Sequence, residues 1–149
     1  MKTDTIIVGA GIIGMSLAIA LSKNNKKIVI IEKNLKNSLK INRVYSLSEK
    51  SKVFFDEIDL WENFLNIKEL SGMNLYYRNF NNKKKLGFSK EENIKSIGYI
   101  AQSKNLFEAL LDKIEKDENI SLIDGQEVEE IIDFKDSIKI NLKNNQIIE

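Results

Sequence analysis

Thr5-Ile6-Ile7-Val8 runs directly into Gly9-Ala10-Gly11-Ile12-Ile13-Gly14, and the reading of this stretch decides the fold. A helix-patterned segment follows, then a second apolar run, Lys27-Ile28-Val29-Ile30-Ile31, which closes on an acid, Glu32. Each part has a mechanical reason. Gly9 lets the chain turn sharply out of a buried strand. Gly11 removes the Cβ that would block a pyrophosphate, and Gly14 lets the helix pack closely on the sheet. The helix N-terminus offers phosphates free N–H groups and a partial positive charge, so Ala10, Ile12 and Ile13 join the glycines as candidate cofactor contacts. Glu32 lies about 20 residues past the glycines, where a carboxylate can accept hydrogen bonds from a ribose. Three glycines alone could mark only a tight turn. Between two strand signals and ahead of an acid, they read as a βαβ dinucleotide site.

A leader or membrane anchor is the rival reading, because Thr5 to Leu21 carries no charge. Asp4 precedes that run, three glycines break it, and it falls short of the roughly 20 apolar residues a span needs. A basic n-region and a small-residue cleavage site are also wanting. The expectation is a soluble, cytoplasmic chain.

At 149 residues the chain can build one domain with a real core. Its 23 basic and 22 acidic residues nearly cancel, which speaks against a nucleic-acid partner. With no cysteine there are no disulfides, thiolate metal sites or cysteine nucleophiles. With no histidine, Ser-His-Asp chemistry, the usual zinc sites and imidazole acid–base catalysis are excluded. No metal site is expected and no residue stands out as a catalytic acid or base, so the chemistry must come mainly from a bound cofactor. Lysine dominates the basic residues, and Lys83-Lys84-Lys85 reads as a solvated turn. Arg43 and Arg78 are the only arginines, which hints at a need for a planar, multidentate donor.

Val8 to Asn24 patterns as a helix after the glycine turn, with Ile13, Leu17, Ala20 and Leu21 on one face. Lys33 to Asn42 is polar and reads as a loop. Ser48 can cap a helix to about Ile58, with Val53, Phe54 and Ile58 inward. Leu60-Trp61 and Phe64-Leu65 add a short helical turn. Met73 to Phe80 alternates like a strand, Asn81-Asn82 turns, and Lys83 to Phe88 pairs back. Ile97 to Ala101 is a further strand. Ser103 then caps an amphipathic helix carrying Leu106, Phe107, Leu110, Leu111 and Ile114. Ile120 to Ile123 reads as a buried strand, Val128 to Phe134 and Ser137 to Leu142 as a hairpin, and Asn144-Asn145 as one more turn. Gln146 to Glu149 then starts a strand on which the chain stops. The expectation is a fragment of a longer protein, with an unpaired apolar edge at that strand.

Taken in order, the glycine fingerprint, Arg43-Val44-Tyr45-Ser46-Leu47-Ser48, the Leu60-Trp61 turn and Gly98-Tyr99-Ile100-Ala101-Gln102 resemble flavin-dependent aromatic hydroxylases. Within that group they are most similar to the ubiquinone-biosynthesis hydroxylases, relatives of para-hydroxybenzoate hydroxylase. The resemblance covers the whole chain as the front part of a family whose members are considerably longer.

The resemblance implies an α/β fold: a Rossmann-like FAD-binding βαβ unit with an inserted antiparallel strand pair and a late β-hairpin. Residues 1–149 would be the N-terminal portion of an FAD/NAD(P)-binding domain, with the substrate domain largely absent. Gly9, Gly11 and Gly14 would receive the FAD pyrophosphate and Glu32 the adenosine ribose. Arg43 would bridge oxygens along the pyrophosphate and ribityl chain, and Gln102 would bond the ribityl chain or the flavin edge. Plainer readings stand beside these: a strand-end acid for Glu32, a surface loop residue for Arg43, a helix start for Gln102. Trp61, Phe54, Phe55 and Phe107 read as packing residues. The family has a Gly-Ala-Asp-Gly-type segment just past Glu149 and a later Gly-Asp motif, and this chain contains neither.

The resemblance further implies a monooxygenase that uses NAD(P)H as reductant, FAD and oxygen. Its substrate would be a polyprenylated phenol in ubiquinone synthesis, which would place it peripherally at the inner membrane surface. A complementing chain or a homo-oligomer would be its protein partner. Two other functions fit the residues, an NAD(P)-dependent dehydrogenase domain and a non-catalytic FAD-binding fragment.

Overall fold

The computed structural model describes residues 1–40, 42–79, 82–89 and 96–149. Its centre is a parallel sheet of β1 (Thr5–Val8), β2 (Ile28–Glu32) and β8 (Ile120–Asp124) in the order β1-β2-β8. Helix α1 (Ile12–Ser22) joins the first two strands. β2 is covered on both faces, which is why its sequence is continuously apolar rather than alternating. Ile28 and Ile30 pack on one side with Met15, Ala18 and Ile19 of α1. Val29 and Ile31 pack on the other with Ile140, Leu142 and Ile148.

Between β2 and β8 the chain leaves this sheet for a long excursion. It forms α2 (Leu35–Lys40), β3 (Val44–Leu47), α3 (Glu49–Glu57), a 3-10 turn at Trp61–Asn63 and β4 (Lys68–Leu70). The hairpin of β5 (Gly72–Asn79) and β6 (Asn82–Ser89) follows, then β7 (Gly98–Gln102) and α4 (Ser103–Glu115). β3, β7 and β4 make a second, antiparallel sheet in the order β3-β7-β4. α4 returns the chain to the core, burying Leu106, Phe107, Leu110 and Ile114. After β8, strands β9 (Val128–Asp133), β10 (Ile138–Leu142) and β11 (Ile147–Ile148) form an antiparallel meander over the second face of the parallel sheet. The fold is therefore α/β and Rossmann-like, with the inserted strand pair and the late hairpin both present.

Several expectations need correction. The buried face of α1 is Met15, Ser16, Ala18, Ile19 and Ser22, whereas Ile13 is 85% and Leu17 46% exposed. Ala20 and Leu21 are partly buried against the core. The helix is apolar nearly all round, so its sequence carries no amphipathic signal to select a face. The segment read as a loop contains α2, started by Asn34, whose side chain accepts the Asn37 N–H at 3.0 Å. Leu35 adds its N–H to Asp124 at 2.9 Å. In α3, Ser48 is the cap as expected, accepting the Ser51 N–H at 3.1 Å, and Phe55 is buried with Ile58, but Val53 points outward. Ser103 does not cap α4. Gln102 is the N-cap residue, and the Ser103 hydroxyl instead accepts the Arg43 N–H at 2.8 Å. The expected turn at Asn81-Asn82 falls partly outside the described residues, and Asn82 already belongs to β6.

The last strand is not left with an open edge. Ile148 pairs with Ile140 of β10. On the other side the Glu149 N–H donates to the Met1 carbonyl at 2.9 Å, and the Thr3 N–H donates to Glu149 at 2.8 Å. The amino-terminal residues thus cover the edge that sequence reading left bare.

One charged cluster staples the meander to the end of β2. The Glu127 carboxylate accepts Lys143 Nζ at 2.5 Å and Lys33 Nζ at 2.8 Å. These two lysines, Lys143 first, hold its pKa down from 4.5 to about 2. A depressed carboxyl pKa stabilises the fold above the unfolded-state value, and that contribution disappears as pH falls through the folded value. Melting temperature should therefore drop between pH 4.5 and about 2. The drop should shrink in Glu127→Gln and in high salt, since the cluster is solvent-exposed. Equal acid limbs for parent and variant in thermal melts would exclude the staple.

Candidate cofactor site

The site is built where β1 hands over to α1. Gly9 has φ +105°, a backbone conformation that side chains rarely adopt, and its N–H donates to the Ile31 carbonyl at 2.8 Å. The turn therefore stays hydrogen-bonded to the neighbouring strand while reversing away from it. Gly11 is the N-cap of α1 in ordinary extended geometry, and no side chain caps the helix. The first-turn N–H groups have no intrahelical acceptor by helix geometry, and they point with the positive end of the helix dipole.

The glycines differ in what they are for. A Cβ at Gly14 would stand 2.1 Å from the Gly9 carbonyl oxygen and 3.3 Å from Ile7 Cγ2. Gly14 is there for the close contact of helix and strand. A Cβ at Gly11 would meet no protein atom within 4 Å. Packing does not demand a glycine there, and the space above it is open. That cradle, with the uncapped N-terminus, fits a pyrophosphate.

Glu32 ends β2 beside this turn. Its Oε2 accepts the Ala10 N–H at 2.8 Å, and its Oε1 accepts the Asn34 N–H at 2.8 Å. The carboxylate therefore ties the glycine turn to the loop after β2. Spacing had suggested a ribose contact and did not reveal this link. Each oxygen retains a second lone pair, so a ribose hydroxyl can still approach.

Arg43 and Gln102 come together, although 59 positions separate them (102 − 43). Val44 pairs with Gln102 across β3 and β7, and Ser103 clasps the Arg43 backbone from both sides. The Arg43 N–H donates to Ser103 Oγ at 2.8 Å, and the Ser103 N–H donates to the Arg43 carbonyl at 2.7 Å. Both Arg43 and Gln102 are exposed, at one end of this strand pair.

From the same strand, Tyr45 and Leu47 line a cleft of about 780 Å³ that opens onto Gly11. Ile12, Ile13 and Leu17 form its other wall, and Phe54 of α3 closes it. Lys50 and Ser51 are the α3 side chains that bring polar atoms to it. The exposed Ile13 thus belongs to a site wall rather than to the core. Sequence reading missed the role of α3, and its Lys50-Ser51-x-x-Phe54 spacing gives no signal until β3 places the helix opposite α1. Phe55, Trp61 and Phe107 are buried in the core, as expected. Among the described residues, no group of three or more His, Cys, Asp or Glu is placed to hold a metal ion.

The fold is Rossmann-like, and its glycine turn has the geometry to receive a pyrophosphate. A family model described as NAD(P)-binding Rossmann-like domain matches residues 7–43. Over 89% of its length the chain is 23% identical to ubiquinone biosynthesis monooxygenase COQ6, mitochondrial, of Dictyostelium discoideum, covering 31% of that protein. Over 99% of its length it is 22% identical to ubiquinone hydroxylase UbiM of Neisseria meningitidis, covering 34% of it. Its fold matches pqsL, a probable FAD-dependent monooxygenase from Pseudomonas aeruginosa, with a TM-score of 0.76 at 15% identity. That match takes in 99% of this chain and 40% of pqsL. The resemblance to the N-terminal part of a ubiquinone-biosynthesis hydroxylase is borne out, and the chain spans about a third of the length of the curated relatives it matches.

Proposed function

We propose that the chain is the cofactor-binding front part of an FAD-dependent aromatic hydroxylase that takes its electrons from NAD(P)H. The observation that carries this reading is the Gly11 cradle at the uncapped α1 N-terminus, opening onto an aromatic-walled cleft. Gly9 to Gly14 would hold the pyrophosphate through backbone N–H groups, and Glu32 the adenosine ribose. Arg43 and Gln102, on adjoining strands, would hold the ribityl side. When bound, the flavin would supply the electron transfer and oxygen activation that no side chain here can supply. The protein's part is to orient the cofactor and keep water from the reacting centre.

A polyprenylated phenol in ubiquinone biosynthesis is the substrate this reading favours, supported by the names of the two curated relatives. Such a substrate would bring the enzyme to a membrane surface. Among the described residues, no helix is long and apolar enough to cross one. Val8, Ile13 and Leu17 expose apolar surface around the site, which supports a further polypeptide segment or a complementing chain covering them.

An NAD(P)-dependent dehydrogenase domain is the second reading, favoured by the family model over residues 7–43. Against it, the chain departs after β2 into an antiparallel sheet rather than a further regular βαβ unit. Titration with FAD, followed by flavin fluorescence quenching, and with NADH separates the two. The isolated 149 residues are expected to bind FAD weakly, if at all, through its ADP half, without coupling NAD(P)H oxidation to hydroxylation. NADH binding in the absence of FAD binding would favour the dehydrogenase.

Glu32→Gln tests the ribose end. An amide has one acceptor oxygen where the carboxylate has two, so Ala10 or Asn34 must lose its partner. FAD binding should weaken by about 1–3 kcal/mol, the range for hydrogen bonds to charged groups, with a lower melting temperature as well. A lower melting temperature with an unchanged dissociation constant would leave Glu32 as a brace of the turn only.

A further inference from the structure

The cleft wall contributed by α3 is held from behind by a polar cluster that the cofactor reading does not use. Tyr99 of β7 is 7% exposed, and its hydroxyl donates to Glu49 Oε1 at 2.8 Å. Ser96, 1% exposed, places its Oγ 3.0 Å from the same carboxylate oxygen and 3.1 Å from the Gly98 carbonyl. It accepts the Gly98 N–H at 3.3 Å. Glu49 is the first residue of α3, immediately after its cap. The cluster therefore pins the corner where β3 turns into α3. Close approach is built into the backbone, since a Cβ at Gly98 would stand 2.7 Å from the Leu47 carbonyl oxygen.

A chain of rings runs from this corner to the cleft. The Tyr99 ring meets Trp61 edge-on at 4.8 Å, and Trp61 meets Phe64 at 6.1 Å. Phe64 meets Phe55 at 4.8 Å, and Phe55 meets Phe54 at 5.4 Å. Lys52 Nζ lies 5.4 Å from the Trp61 ring centroid on the α3 side. Edge-to-face contacts of this kind fix ring orientation as well as burying area. Rotation of α3 about its first turn would have to disturb every ring in the series.

We propose that Tyr99, Ser96 and Glu49 form a positioning latch that sets the distance between α3 and α1, and so the shape of the cleft beside the glycine turn. Tyr99 and Glu49 touch no part of the cleft themselves and act through Leu47, Phe54 and Phe55. Ligand uptake should depend on them although they line nothing. The link from cleft to flavin rests on the proposed function, but the latch does not. Burial first, and then Glu49, push the Tyr99 phenol above its ordinary value, while Ser96 and Lys52 pull the other way. Glu49 and Lys52 on α3 are the charged groups that act on it. The latch is therefore intact while the phenol is neutral and opens as pH rises past that of an ordinary tyrosine.

The test uses the chain itself and two probes, the apolar dye anilinonaphthalene sulfonate and FAD, with Phe54→Ala as the control that assigns the dye to this cleft. Tyr99→Phe and Glu49→Ala should each weaken both probes about tenfold, the scale of one hydrogen bond to a charged group. Glu49→Gln, which keeps an acceptor, should stay near the parent. Parent affinity for the dye should decline above pH 10, and that decline should be missing in Tyr99→Phe. Unchanged affinities in variants that keep their circular dichroism would overturn the latch. If the variants lose the dye while the parent takes the dye and NADH but not FAD, the latch stands and the flavin reading falls. Should Tyr99→Phe not fold, Ser96→Ala carries the same test. A folded Ser96→Ala with parental dye affinity and parental pH profile refutes the proposal.

Discussion

Gly14→Ala is expected to destabilise the domain by about 3 kcal/mol and to lower its melting temperature by on the order of 10 °C. The added methyl has nowhere to go. It would lie 2.1 Å from the Gly9 carbonyl oxygen, which belongs to backbone already held through its N–H to Ile31. Relief requires α1 to lift off β1, and α1 carries Met15, Ala18 and Ile19 into the core at 0–1% exposure. Alanine's better helix propensity recovers only about 1 kcal/mol. The net sign is therefore set by the clash. A melting curve for Gly14→Ala that overlays the parent would mean that helix and strand lie farther apart than described.

Gly11→Val should have the opposite profile, with the fold retained and adenine-dinucleotide binding abolished. Gly11 sits at φ −74°, ψ 173°, which valine adopts without strain, and its Cβ would touch no protein atom. Stability should fall by only about 1 kcal/mol, because valine is a poorer N-cap than glycine, and that is well short of the Gly14→Ala loss. The branched side chain would instead fill the space in which a pyrophosphate must approach the α1 N-terminus. Calorimetric titration with FAD, beside a thermal melt, checks both halves. Parental FAD affinity in Gly11→Val, measured in a chain extended to family length, would remove the proposed phosphate site. The pair of variants is informative together, because two glycines of one motif should fail in different assays.

The β1–α1–β2 unit was legible because each of its signals is local. A buried strand must be apolar, a tight turn must be glycine, and the acid must follow the second strand at the distance the helix imposes. The long amphipathic helix α4 and the β5–β6 hairpin were legible for the same reason, through period and alternation. The short elements were not. β4 has only Lys68–Leu70 and α2 only Leu35–Lys40, too few residues to show a period, and both exist because neighbouring strands or helices supply their partners.

By itself, then, the sequence determined that a parallel βαβ core forms and that its glycine turn faces outward. Those outcomes follow from backbone sterics and burial within some thirty consecutive residues. Only the tertiary structure decided which face of the uniformly apolar α1 is buried, since Ile13 and Met15 are equally hydrophobic in kind and differ only in what packs against them. Only it placed Arg43 beside Gln102, set α3 across the cleft from α1, and gave the Glu32 carboxylate the Ala10 N–H to hold. Each of these joins residues far apart in the chain through pairing or packing, and no local pattern encodes a contact whose other half lies in another element.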